Sequence, residues 1–140
     1  MLTAMAHSVL LRAVGIVAAV LVCAWFALGI RQARDANRAS DIITATSPPS
    51  PAEARLARSL LRSAGQLNPD RGVDLLRSQL ALREGDAAQA RAIALNVGRA
   101  EPEDLDAWLA YGEASTHDRA AFVVALAYLN RLAPPVHRAG

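Results

Sequence analysis

The chain has 140 residues, of which 53% are hydrophobic but only 4% aromatic, and 31 are alanine. This composition is typical of helical proteins. All 15 basic residues are arginine, and 13 acidic residues leave a formal net charge of only +2. The single cysteine, Cys23, excludes a disulfide framework and any site with several cysteine metal ligands. The length allows one domain with an appendage.

A long uncharged, apolar run extends from Ala13 to Ile30. As a helix it would be roughly 27 Å long, close to the hydrocarbon thickness of a bilayer, which is about 30 Å. We therefore predict a transmembrane helix over residues 9–30, preceded by an N-terminal tail at 1–8. A cleaved signal peptide is the alternative. However, signal peptides have a shorter apolar region and a cleavage site of small residues, and neither is present here.

Small residues recur every four positions within the predicted span: Gly15, Ala19, Cys23 and Ala27. On a helix they would form a stripe that allows a second transmembrane helix to pack closely. An alanine-rich segment also produces this spacing by chance, so both interpretations stay open.

Three arginines at helical spacing follow the span: Arg31, Arg34 and Arg38. We predict a juxtamembrane helix or stalk over 31–46, whose arginines contact lipid headgroups or simply form a solvated helix face. A proline-rich linker at 47–52 then separates the stalk from the remainder of the chain. These arginines outnumber Arg12 on the other side of the span, so the positive-inside rule favours a cytoplasmic C-terminal domain. A periplasmic or other extracytoplasmic domain is the alternative.

Five further helices are predicted, at about 51–66, 71–84, 86–100, 103–115 and 118–132. No stretch alternates with period two, so no strands are expected. The first of these helices has the strongest start signal. Ser50 is placed as its N-cap, Pro51 takes the first helical position, and Glu53 completes a capping box.

A repeat becomes visible in the helix-ending prolines, Pro69, Pro102 and Pro134, which are 33 and 32 residues apart. A period close to 34 with two helices per unit is the spacing of tetratricopeptide repeats. The stretch from Ala107 to Gly112 matches the tryptophan, large apolar and glycine pattern of a repeat's first helix, and Gly85 matches the turn within a pair. The chain thus resembles the tetratricopeptide repeat (TPR) family, of the bacterial membrane-anchored, single-span type.

This resemblance covers residues 53–134 and implies an all-α fold with a small α-solenoid of about two and a half helix pairs. In the family, the first helix of each pair lines a groove that binds a peptide. The resemblance assigns six residues to this groove: Leu75, Gln79, Leu82, Arg83, Leu109 and Glu113. Alternatively, these leucines belong to the core and the polar residues are only solvated.

The expected function is a membrane-anchored protein–protein interaction module, acting as an adaptor or accessory subunit of a bacterial membrane or envelope complex. One alternative is a structural subunit held in a larger membrane complex mainly by its transmembrane helix. Another is a relative of the repeat tails of envelope polysaccharide-assembly proteins. The expected partners are a protein, which can be a second copy of the chain, and the lipid bilayer.

The last predicted helix is apolar at ten consecutive positions, residues 120–129, and hence apolar on all sides. The terminal helix of a repeat array normally presents a polar outer face to water. We therefore expect an association face that includes Phe122, Val124 and Tyr128, covered by a second copy, another subunit or the bilayer surface. A fold-back within the monomer is the alternative.

The residues that carry enzyme chemistry are few and scattered. His7, His117 and His137 are far apart in sequence, and there is no glycine-rich phosphate loop or paired zinc motif. Residues 53 to 134 contain ten arginines and eleven carboxylates, a charge balance that is unlike that of a nucleic-acid-binding domain. We expect no catalytic activity, no cofactor, no metal and no nucleic acid partner. A flexible tail is predicted at 135–140.

Overall fold

The computed structural model describes residues 2–66 and 71–133, with side chains from Val14 onward. These residues form six helices and no strand: α1 (Leu2–Thr44), α2 (Pro51–Gly65), α3 (Arg71–Arg83), α4 (Ala87–Ala100), α5 (Leu105–Glu113) and α6 (Arg119–Leu132). The all-helical prediction is confirmed for this part of the chain. Pro69, Pro134 and the tail predicted at 135–140 lie outside the described residues.

The first helix, α1, is a single uninterrupted helix that joins the apolar run to the rest of the fold. It begins at Leu2, so residues that were predicted as an N-terminal tail are helical. The side chains from Val14 to Ile30 are all exposed. Among the described residues, α1 alone is long and apolar enough to cross a membrane, a test that an N-terminal signal sequence also passes.

Local capping interactions fix where the shorter helices begin. The Ser50 hydroxyl accepts a hydrogen bond from the backbone N–H of Glu53 at 3.3 Å, and the Glu53 carboxylate accepts one from the Ser50 N–H at 2.8 Å. The predicted capping box is therefore present. Three aspartates cap the later helices α4, α5 and α6 through the same kind of bond: Asp86, Asp104 and Asp118.

The juxtamembrane segment packs against the domain and is not a separate stalk. Ala39 and Ile43 are buried in one cluster with residues of α2, and Ala36 packs against that cluster. Near the C-terminal end of α2, the Ser63 hydroxyl donates a hydrogen bond to the Asp35 carboxylate at 2.8 Å. The apolar residues of α1 recur at helical spacing and form a stripe. This stripe is covered mainly by α2, and Val73 and Leu80 of α3 belong to the same buried cluster. The proline-rich linker thus connects two helices that pack together.

The described helices form three consecutive pairs: α1 with α2, α3 with α4, and α5 with α6. Neighbouring pairs contact each other through α3, which touches α1, α2 and α5, and through α4, which touches α5. The sequence analysis predicts two and a half pairs, because it assigns the part of α1 that follows the predicted span to a stalk. The second half of α1 supplies the missing helix.

The short connections make consecutive helices run in alternate directions. The ends of α2, α4 and α6 therefore lie on the side of the domain that faces the apolar part of α1, together with the starts of α3 and α5. Two contacts agree with this arrangement. Asp35 of α1 meets Ser63 near the end of α2, and Arg71 at the start of α3 lies 3.5 Å from the Glu101 carboxylate that follows α4.

Candidate functional site

A cavity of about 410 Å³ lies between α3 and α5. Four of the six predicted groove residues line it: Leu75, Gln79, Leu109 and Glu113. Within each helix the two residues are four positions apart and therefore lie on one face. Because α3 and α5 are in direct contact, the two faces border the same cavity.

Four more residues line this groove and were not predicted: Gly72, Leu76, Asp106 and Ala110. Their signal was available in the sequence, since each lies three or four positions from a predicted groove residue on the same helix face. Asp106 adds a second carboxylate to that of Glu113, and none of the described residues that line the cavity is basic. The groove is therefore negatively charged, with an apolar contribution from Leu109, which is 44% exposed.

Leu82 and Arg83 lie outside this groove. Leu82 packs against a small cluster that includes Ala114, because α5 ends at Glu113 and the following turn covers this end of α3. The Arg83 guanidinium donates hydrogen bonds to the backbone carbonyls of Ala45 and Ser47. Arg83 thus fastens the linker that follows α1 to the end of α3, a structural role.

The predicted association face of α6 is exposed in part. Phe122 and Val124 are exposed, and Val123 and Leu126 extend the apolar surface around the helix. Tyr128 differs, because its ring stacks on the indole of Trp108 with centroids 3.7 Å apart and an interplanar angle of 4°. Tyr128 therefore packs against the core cluster formed by α4, α5 and α6, and the exposed apolar face consists of the residues before it.

The small-residue stripe of α1 is exposed along its whole length, from Gly15 through Ala19 and Cys23 to Ala27. A Cβ atom added at Gly15 would meet nothing within 4 Å. The surface is thus available to another helix. The three juxtamembrane arginines are also exposed: Arg31, Arg34 and Arg38. None of them forms an ion pair within the part of the chain that the structure describes.

In the described ranges, no group of three or more His, Cys, Asp or Glu side chains is arranged to hold a metal ion. His117 is exposed at the turn before α6, while His7 and His137 lie outside the residues whose side chains are described. Comparison with known proteins found no matching family model, curated protein or solved structure.

Proposed function

We propose that this chain is a membrane-anchored, TPR-like interaction module that binds a segment of a protein partner in the groove between α3 and α5. It would act as an adaptor or accessory subunit of a bacterial membrane or envelope complex. The observation that carries the proposal is the convergence of Leu75, Gln79, Leu109 and Glu113 on one cavity. The TPR resemblance of the sequence assigns these same residues to a groove.

The order of helix packing supports a TPR-like arrangement. Each pair packs internally, and the first helices of successive pairs, α1, α3 and α5, contact one another in turn. Trp108 of α5 fills the space beside α4, where Gly98 lies close to its indole. Three pairs also meet the usual minimum of about three repeats for an independently stable array.

The lining residues indicate what kind of segment the groove would bind. Asp106 and Glu113 contribute negative charge, Gln79 can donate and accept hydrogen bonds, and Leu109 offers apolar surface. A partner segment with a basic residue next to an apolar one would satisfy all of these groups. We therefore propose a basic, partly apolar peptide segment as the ligand.

The continuity of α1 supports a partner at the membrane. The buried Ala39 lies nine positions after Ile30, the end of the apolar run, which is a helical rise of about 13 Å. The domain is thereby held beside the bilayer surface without a flexible tether. In the proposed arrangement α1 crosses the cell membrane once, with the domain on the cytoplasmic side.

Site-specific crosslinking tests the groove. A photoreactive amino acid in place of Leu109, in the full-length chain and in intact membranes, should yield a crosslink to a protein other than itself. Glu113→Arg should abolish the crosslink, because it reverses charge inside the groove. Glu103→Arg makes the same charge change in an exposed turn outside the groove and should leave the crosslink intact. Equal effects of both variants, or no crosslink at all, would refute the proposal.

A second candidate function is a structural subunit held by its transmembrane helix, favoured by the exposed small-residue stripe. Under this hypothesis Gly15→Leu and Ala19→Leu would release the protein from its complex, since leucine prevents close helix approach. Glu113→Arg would leave the complex intact. Co-purification of the membrane complex with each variant separates this function from groove binding.

A further inference from the structure

A second cleft, of about 490 Å³, lies between α2 and α4 with α3 at its base. Its apolar lining comes from Leu61, Leu80, Ala81 and Ile93. None of its lining residues borders the α3/α5 groove, because the two cavities use different faces of α3. The cleft is therefore a separate surface, and a ligand bound in it would be independent of the function proposed for the groove.

The cleft is strongly basic. Four arginines line it: Arg55, Arg58, Arg62 and Arg77. Among the described residues, only Glu84 contributes a carboxylate. Three of them lie on α2 at positions i, i+3 and i+7, and hence on one helix face. The spacing of these arginines can be read from the sequence. The near-neutral net charge of the whole domain does not indicate a basic surface of this kind.

Two of the four arginines are already paired. A guanidinium nitrogen of Arg58 lies 3.3 Å from the Glu84 carboxylate, and one of Arg77 lies 2.8 Å from the Asp74 carboxylate. Arg77 also donates a hydrogen bond to the carbonyl of Leu61 at 3.1 Å, which fixes its guanidinium at the edge of the cleft.

The other two arginines, Arg55 and Arg62, are exposed and have no ion-pair partner in the described part of the chain. Among the residues that the structure describes, the cleft thus carries two arginines without an ion-pair partner above an apolar base. The planar guanidinium donates paired hydrogen bonds to carboxylates more effectively than any other side chain. We propose that this cleft binds an acidic, partly apolar segment of a protein partner, with Arg55 and Arg62 holding its carboxylates.

The geometry favours a protein segment over the lipid surface. Arg55 and Arg62 are seven residues apart, about 10 Å along the axis of α2. Because α2 packs along α1, this row of arginines runs parallel to the helix that crosses the membrane. A flat bilayer would reach only the Arg62 end of the row, whereas an extended or helical peptide can follow the whole cleft.

Binding of a designed probe tests this inference. The full-length protein, in nanodiscs of zwitterionic lipid, is titrated into a fluorescent 16-residue helical peptide with leucines on one face and glutamates beside them. A peptide of the same length with lysine in place of glutamate serves as the reference. Fluorescence anisotropy, corrected for binding to empty nanodiscs, should show clearly tighter binding of the acidic peptide.

Charge reversal in the cleft then identifies the site. Arg55→Glu combined with Arg62→Glu should weaken binding of the acidic peptide by about tenfold or more, since both uncompensated charges are reversed. Arg99→Glu changes charge at an exposed position of α4 outside the cleft and should change the affinity by less than about twofold. Circular dichroism of each variant verifies that the fold is retained.

Three results would overturn the proposal. The acidic and basic peptides bind equally well, or Arg99→Glu weakens binding as much as the double variant does. In the third, the double variant leaves peptide binding unchanged but reduces binding to phosphatidylglycerol vesicles, which would assign these arginines to the membrane surface. Groove variants such as Glu113→Arg should not affect binding of the acidic peptide, so failure of one site is distinguishable from failure of the other.

Discussion

Two buried glycines on neighbouring helices are predicted to respond in opposite ways to the same substitution. A Cβ atom added at Gly98 of α4 would lie 3.1 Å from two ring carbons of Trp108. A Cβ added at Gly112 of α5 would lie 3.4 Å from the Cβ of Ala125, which is ordinary van der Waals contact. The consequence of Gly98→Ala therefore depends on whether the indole is able to move.

Trp108 is held on several sides. It is 2% exposed, its Nε1 donates a hydrogen bond to the carbonyl of Pro102 at 3.0 Å, and Tyr128 stacks on its ring. Tyr111 meets it edge-on with centroids 6.1 Å apart. A shift of a few tenths of an ångström would disturb all of these contacts at once. Overpacking of this kind costs about 1–3 kcal/mol.

The helix itself favours alanine over glycine by about 0.5–1 kcal/mol. We therefore expect Gly98→Ala to lower the free energy of unfolding by about 1 kcal/mol overall, which corresponds to a decrease in Tm of roughly 4–8 °C for a domain of this size. Gly112→Ala, the matched control, gains helix propensity without a clash and should leave Tm unchanged or slightly raised.

The assay is thermal unfolding of the full-length protein in detergent micelles, followed by circular dichroism at 222 nm. The wild type, Gly98→Ala and Gly112→Ala are compared under identical conditions. A Tm for Gly98→Ala at or above that of the wild type would show that the Trp108 ring can shift without loss of stability. A larger loss for Gly112→Ala than for Gly98→Ala would refute the packing argument altogether.

The remaining predictions concern a helix cap, a pH effect and the packing of α1, all measured by the same thermal assay. Asp118 caps α6 and lies 2.8 Å from Arg91, so Asp118→Ala should cost about 1–2 kcal/mol, whereas Asp118→Asn retains the cap and should cost less. Hydrogen bonds within the capping box lower the pKa of Glu53 below its ordinary value of 4.5. The ionised carboxylate therefore stabilises α2 above pH 4.5, and this stabilisation is lost as the pH falls through the lowered pKa. The difference in Tm between the wild type and Glu53→Gln should therefore shrink from pH 7 to pH 3. Ala39 is fully buried against α2, so Ala39→Leu should lower the free energy of unfolding by about 1–3 kcal/mol. Asn37→Leu, at an exposed position of α1, should have little effect. Equal effects of these two substitutions would contradict the packing of α1 on the domain.

The groove shows how far helical periodicity predicts a site. Positions three and four apart on one helix face remain together in any helical fold, and Leu75 and Gln79 therefore point to one cavity. The extent of the groove along α3 could not be predicted in the same way. It depends on where α5 ends beside α3, and for this reason Leu82 lies under the turn at Ala114.

The apolar run of α6 shows the same limit. Ten consecutive apolar residues establish that some apolar surface faces outward, but not which residues form it. The stacking of Tyr128 on Trp108 fixes the rotation of α6 and leaves Val123 and Val124 outside. This rotation is set by a contact between two helices, and the sequence of α6 by itself does not contain it.

The sequence by itself determined the features that depend on local chemistry. These are an apolar run of membrane-spanning length, the capping box at Ser50 and the turn at Gly85, whose φ of 88° is left-handed. Each involves residues a few positions apart, so its free energy is nearly independent of the rest of the fold.

Only the tertiary structure decided which helices pair, and through this pairing where the charges meet. The second half of α1 buries its apolar stripe against α2 and α3, which makes an expected stalk the first helix of the domain. The same packing places arginines of α2 and α3 around one cleft and carboxylates of α5 beside another. The near-neutral charge of the domain is therefore separated into a basic and an acidic surface, because burial of apolar side chains fixes the polar faces that remain exposed.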